Sequence, residues 1–269
     1  MLHEEPFKIY RPTVPAVPIL VSVPHCGVAF PDDIRSQYKA SLIDAPDDTD
    51  WFVDRLYDFA PSMGMTMITA TYSRWVIDLN RDPDSKPLYS DGRIITALCP
   101  STTFLGEPLY IDNRKEVAGA EVARRHTLYY QPYHNKIQQL LDEMKAEFGT
   151  VLLWDCHSIR QIVTTIQKEK FPDLILGDAD GKSAVPNLIQ TTLDILSSDS
   201  FTVSHNHPFK GGTITRTFGK PAENQHALQL EMPKVHYMDD TEIYYHEGRA
   251  KHMQQLLKRN FQHLISQLR

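Results

Sequence analysis

Apolar residues recur along the chain with two periods, and their alternation reads as strands feeding helices. Pro18 and Pro24 enclose Ile-Leu-Val-Ser-Val, a β-branched run that predicts a buried strand ending at His25. Thr49 to Ser62 sets Trp51, Leu56 and Phe59 among acidic residues and predicts a helix with Thr49 as N-cap. Thr66–Tyr72 and Arg74–Leu79 read as two strands in close succession, the second because Trp75, Ile77 and Leu79 alternate. Residues 82–114, rich in Pro, Asp, Ser and Gly, predict a long loop of the kind that usually serves function. From Glu116 to Phe148 the spacing of Ile137, Leu140, Leu141, Met144 and Phe148 predicts a long helix, with Pro132 as a point of interruption and Gly149 as its end. Strands are then expected at Val151–Asp155, Asp173–Leu176, Phe201–Ser204 and Ala227–Glu231, with a helix at Ala184–Leu196. A closing helix carries the stripe Met253, Leu256, Leu257, Phe261, Leu264 and Leu268. This order predicts an α/β fold: one domain over residues 1–269, built on a mixed, largely parallel sheet with helices on both faces.

Composition narrows the function classes. Apolar residues make up 41% and charged residues 23%, ordinary for a globular chain, and the net charge of −6 excludes a general electrostatic grip on nucleic acid. No apolar run is long enough for a membrane span, and the first residues do not resemble a secretory signal, so a cytoplasmic protein is expected. Cys26, Cys99 and Cys156 are too few for a disulfide framework and are expected as reduced thiols. Oligomeric state is not legible.

The candidate chemistry gathers at strand ends, where open α/β sheets bind ligands. Two predicted strands run into His25 and His157, and strand alternation puts Asp155 on the side of His157 as an acceptor for its second ring nitrogen. A catalytic zinc site needs a third nitrogen or oxygen ligand. Asp50, at the acidic start of the second element, is the choice, with Asp48 as the alternative. Cys26 and Cys156 abut the histidines but alternate away from them, as packing residues. His246-Glu247 lacks the second histidine spacing of a zincin helix, His252 standing two residues too far along, which puts the two rings on different faces.

Further along, Asp78-Leu-Asn80-Arg81 offers a planar guanidinium and an amide that suit a carboxylate, so an acidic small substrate is expected. Arg74 can face a developing oxyanion if the chain folds back, although surface pairing of both arginines with Asp78 or Asp82 is the plain alternative. Gly211 and Gly212 permit close backbone approach, with Thr215 and Arg216 following. Glu231 ends an interior strand, where an unpaired carboxylate is costly unless it is a general base.

The ordered set Ser-Val-Pro-His25-Cys-Gly27, Thr-Asp50-Trp, Asp78-Leu-Asn80-Arg81, Tyr129-Tyr-Gln-Pro-Tyr133-His134, Asp155-Cys-His157-Ser158, Phe209-Lys-Gly-Gly212-Thr-Ile-Thr-Arg216 and Leu228-Gln-Leu-Glu231-Met resembles the N-formylglutamate amidohydrolase family, from about residue 18 to residue 235. The resemblance implies a fold related to zinc carboxypeptidases and aspartoacylase, and hydrolysis of N-formyl-L-glutamate to L-glutamate and formate in histidine degradation. It places His25, Asp50 and His157 on one divalent metal, most often zinc, with cobalt and manganese suited to the same donors. Carboxypeptidases carry their carboxylate ligand three residues after the first histidine; Val28 stands there in this chain, so Asp50 is a departure. On this reading Glu231 takes a proton from water and returns it to the leaving amine, Arg74 faces the oxyanion, and Arg81 with Asn80 and Arg216 beside the glycines hold the two carboxylates. Other readings are an amidase for a different N-acyl acidic amino acid or a cell wall peptide, and a silent amino acid binding module. Arg125, Tyr133 and His134 are left between pocket wall and helix packing.

Overall fold

The computed structural model describes residues 5–84 and 97–268. Among the described residues seven strands form one mixed sheet: β1 Phe7–Tyr10, β2 Ile19–Val23, β3 Thr66–Ala70, β4 Val151–Ile159, β5 Leu174–Gly177, β6 Val203–His205 and β7 Gln225–Pro233. Their order is β1-β3-β2-β4-β7-β5-β6. Pairing is parallel except where β1 meets β3 and β5 meets β7. The central strands β2, β3, β4 and β7 are buried along their whole lengths, which explains their continuous apolar runs.

Each face of the sheet is closed by helices. On one face Val21, Trp154 and Leu228 pack with Leu256, Leu257, Phe261 and Leu264 of the helix Glu247–Leu268 and with the helix Pro186–Leu196. On the other, Leu20, Ile68, Leu153 and Ala227 pack with Ile137, Leu140 and Leu141 of the helix Gln131–Phe148. Alternation carries this second row onward along β4 and β7, where Val151 and Leu153 are followed by Asp155 and His157, and Ala227 by Gln229 and Glu231. An apolar row thus turns polar at the carboxyl ends of neighbouring parallel strands, and this places the site.

Three local expectations are corrected. Arg74–Leu79 forms no strand: Trp75, Val76, Ile77 and Leu79 are all buried in an irregular turn, so their burial mimics alternation without any pairing partner. Thr49–Ser62 is helical only at Val53–Leu56 and in a 3-10 turn at Ala60–Met63, because Phe52 is left-handed at φ 61° and the Asp50 amide donates to the His25 carbonyl at 3.0 Å. That bond holds the Asp50 loop against the end of β2. Pro132 does not break the long helix, since a π-helical turn at His126–Tyr130 precedes it between the helices Gly119–Arg125 and Gln131–Phe148. Edge strand β1 and the helix Thr213–Phe218 escape the sequence patterns, both being short. Residues 85–96 of the expected loop at 82–114 lie outside the described residues. Among the described residues no helix is long and apolar enough to cross a membrane.

Candidate metal centre

His25 lies two residues beyond β2, Asp50 in the loop its amide ties to that strand end, and His157 on β4. All three are buried, and together they form a group able to hold a metal ion. His157 Nδ1 stands 3.2 Å from His25 Nδ1 and 3.2 Å from Asp50 Oδ2, and His25 Nδ1 stands 3.6 Å from Asp50 Oδ2. Ligand bonds of ~2.0–2.2 Å at a tetrahedral angle set donor atoms about 3.3–3.6 Å apart. The three donors are spaced almost as such an ion requires.

The outer nitrogens fix the tautomers. His25 Nε2 donates to Asp78 Oδ1 at 2.9 Å; His157 Nε2 lies 2.9 Å from both Asp155 Oδ2 and Asn80 Nδ2, and the charged carboxylate makes it the donor to Asp155. Each ring therefore turns an Nδ1 lone pair toward the other ring and toward Asp50, an arrangement that repels unless a cation lies among them. The charge balance agrees. Burial alone would raise Asp50, but the two imidazoles beside it hold it well below the usual carboxylate range. For His157 burial opposes the charged form, yet the carboxylates of Asp155, Asp50 and Glu231 outweigh it and raise the ring well above its ordinary value. The pocket has negative charge to spare. Asp155→Asn is expected to weaken zinc affinity about 10–100-fold, measured by competition with a chelator.

Asp48, the alternative ligand, is engaged elsewhere: it accepts from Trp75 Nε1 at 2.8 Å and from the Phe104 amide at 3.0 Å. Glu231 lies directly across from His157 on the same sheet face. Burial pushes it up to about 8, with His157 opposing and Asp50 adding to the rise. Arg74 is buried between two carboxylates, 2.6 Å from Asp78 Oδ2 and 3.9 Å from Asp50 Oδ1. Arg81 Nη2 is 3.4 Å from Asp78 Oδ2.

Asn80 is where the second cluster meets the first. Its Nδ2 lies 2.9 Å from His157 Nε2 and 3.3 Å from both Asp155 Oδ2 and Gln229 Oε1, and its Oδ1 accepts from the Ile214 amide at 2.8 Å. Gln229 Oε1 also accepts from the Gly212 amide at 2.8 Å. A Cβ at Gly212 would fall 2.3–2.4 Å from the Asn80 amide atoms. Gly212→Ala is therefore expected to displace a side chain anchored on three sides and to lower kcat/KM at least about 100-fold, since shifts near 1 Å carry that cost. Gly211 is left-handed at φ 101°, Thr215 is buried in the helix Thr213–Phe218, and Arg216 is exposed with its Nε donating to the Gly211 carbonyl at 3.0 Å. The structure thus keeps the Arg216 backbone beside the glycines but its side chain outside the buried cluster.

Sequence reasoning missed that Asp78 backs His25, and it gave Gln229 no role. The signal was present in both cases, as polar residues at buried positions. Arg125 is buried completely, and its Nη1 donates to Tyr38 Oη, Tyr110 Oη and the Val76 carbonyl, which makes it an internal brace. Tyr133 pairs with Ser22 at 3.1 Å. Cys156 is buried in the core, and Cys26 Sγ lies 3.4 Å from the Val23 carbonyl, in keeping with packing roles. His134 Nε2 donates to the Leu79 carbonyl at 2.8 Å, and burial lowers its pKa to about 4. The unfolded chain takes up that proton first, so His134 withdraws up to about 3 kcal/mol of stability as pH falls from about 6.5 to 4. Denaturant titrations of wild type and His134→Gln are expected to converge over that window.

The family model described as N-formylglutamate amidohydrolase matches residues 17–238. The chain is 40% identical over 253 residues to the N-formylglutamate deformylase of Pseudomonas putida, with 93% of each chain covered. It is 42% identical over 231 residues to the N-formylglutamate deformylase of Pseudomonas aeruginosa, with 83% of each covered. The crystal structure of N-formylglutamate amidohydrolase from Ralstonia eutropha JMP134 superposes with a TM-score of 0.81 at 29% identity, covering 98% of each chain.

Proposed function

The chain belongs to the N-formylglutamate amidohydrolase family, and from that premise we propose that it hydrolyses N-formyl-L-glutamate to L-glutamate and formate. The observation that carries the reading is the convergence of His25 Nδ1, Asp50 Oδ2 and His157 Nδ1, with Glu231 beside them on the same face. These three residues would hold a divalent ion, zinc foremost, whose charge polarises a carbonyl and acidifies water.

The protein's own groups supply the proton traffic. Glu231, whose burial raises its affinity for a proton, takes one from the attacking water and later delivers it to the departing amine nitrogen of glutamate. Arg74 is placed to stabilise the oxyanion that develops on the formyl oxygen, and Asp78 keeps it oriented. Arg81 would take one substrate carboxylate and the backbone at Gly211 and Gly212, with Thr215 and Arg216, the other. In this reading Asn80 acts as the bridge that fixes the glycine segment against the metal ligands. We assign the whole chain to one catalytic domain, acting in histidine degradation in the cytoplasm.

The test is formate release from N-formyl-, N-acetyl- and N-formimidoyl-L-glutamate by the zinc-loaded protein. Preference for the formyl compound supports the assignment. Binding of glutamate with no formate released would favour a silent binding module, and preference for a larger acyl group would point to another amide.

A further inference from the structure

Asn80 and Arg81 sit on a turn that lacks regular secondary structure, so something else must hold their backbone in place. Three side chains of the helical run 119–148 do so through main-chain carbonyls. Arg125 Nη1 donates to Val76 O at 3.0 Å, His134 Nε2 to Leu79 O at 2.8 Å, and Tyr130 Oη to Arg81 O at 3.0 Å. The carbonyls on either side of Asn80 are thus both gripped from one helix. Tyr130 and His134 are themselves stacked, with ring centroids 4.0 Å apart and planes 14° from parallel, and His126 stacks on the far side of Tyr130 at 5.0 Å.

The π-helical turn is what makes the grip possible. In an uninterrupted α-helix positions 125 and 130 would point about 140° apart, whereas 130 and 134 share a face. Across His126–Tyr130 the Gln131 amide bonds to the His126 carbonyl, five residues back, so one extra residue is taken up within a turn. Positions 125 and 130 are thereby brought round to the same side. Single π turns inside α-helices are rare and are frequently found at functional sites.

We propose that Tyr130 and His134, phased by the π turn at residues 126–130, are positioning residues that set the Asn80–Arg81 turn for substrate binding. The proposal deepens the hydrolase reading and rests on it for its kinetic consequence, while the geometric part stands alone. Tyr130→Phe removes only the hydroxyl that holds Arg81 O. His134→Leu removes the donor to Leu79 O, and His134→Gln restores an N–H donor.

Two readouts test this on the zinc-loaded full chain: the KM and kcat of formate release, and the side-chain amide NMR signal of Asn80. Tyr130→Phe and His134→Leu are expected to raise KM about tenfold with kcat changed less than threefold, and to shift the Asn80 signal. His134→Gln is expected to restore both. A signal that stays in place, a KM within twofold of wild type, or loss of thermal stability with unchanged kinetics would each overturn the proposal. If the wild type itself releases no formate, the hydrolase reading fails, and the Asn80 signal alone then decides whether the two side chains set the turn.

Discussion

Glu231→Gln is expected to lower kcat for formate release about 10³-fold while the protein keeps a full complement of metal. General acid and base catalysis is typically worth 10²–10⁴, and here one group is asked to take the proton and to return it. Gln matches the size of Glu and removes only its proton-carrying capacity, in a position where the carboxylate is buried and faces His157 across β4 and β7. Metal retention separates loss of the base from loss of the ion. Turnover at the wild-type rate with metal bound would remove Glu231 from the mechanism.

Asp50→Ala is expected to abolish both zinc binding and activity, with formate release falling to the uncatalysed background. Asp50 is the sole anionic member of the ligand group, lies 1% exposed, and stands close to the Nδ1 atoms of both histidines. Without it two neutral imidazoles would be left to bind a dication inside the protein. Asp48→Asn should keep zinc, because Asp48 is committed to Trp75 and Phe104. Zinc analysis of the two purified variants checks the pair, and the reverse pattern would transfer the ligand role to Asp48.

The sequence made His25, His157 and Asp155 legible through strand alternation, because side-chain direction within a strand follows from position alone. Glu231 could be read in the same way. Asp50 is less legible, since a carboxylate in a loop has no period to aim it; only the neighbouring apolar residues and the order of motifs single it out. What aims it is a single backbone bond from its amide to His25, together with a left-handed Phe52. The Arg74–Leu79 turn reads as a strand in the sequence because burial under a helix gives it the apolar content of one. Its partners, Arg125, Tyr130 and His134, are separated from it by roughly fifty residues, and a π turn changes the phase on which any helical pattern would rely. Nonlocal contacts of that kind leave no local signature.

The most direct test of the metal assignment is a crystal structure of the zinc-loaded protein with data collected on both sides of the zinc absorption edge. The account predicts one strong anomalous peak at ~2.0–2.2 Å from His25 Nδ1, Asp50 Oδ2 and His157 Nδ1. Bound zinc giving its peak at any other set of side chains, with these three donors still facing one another, would contradict it.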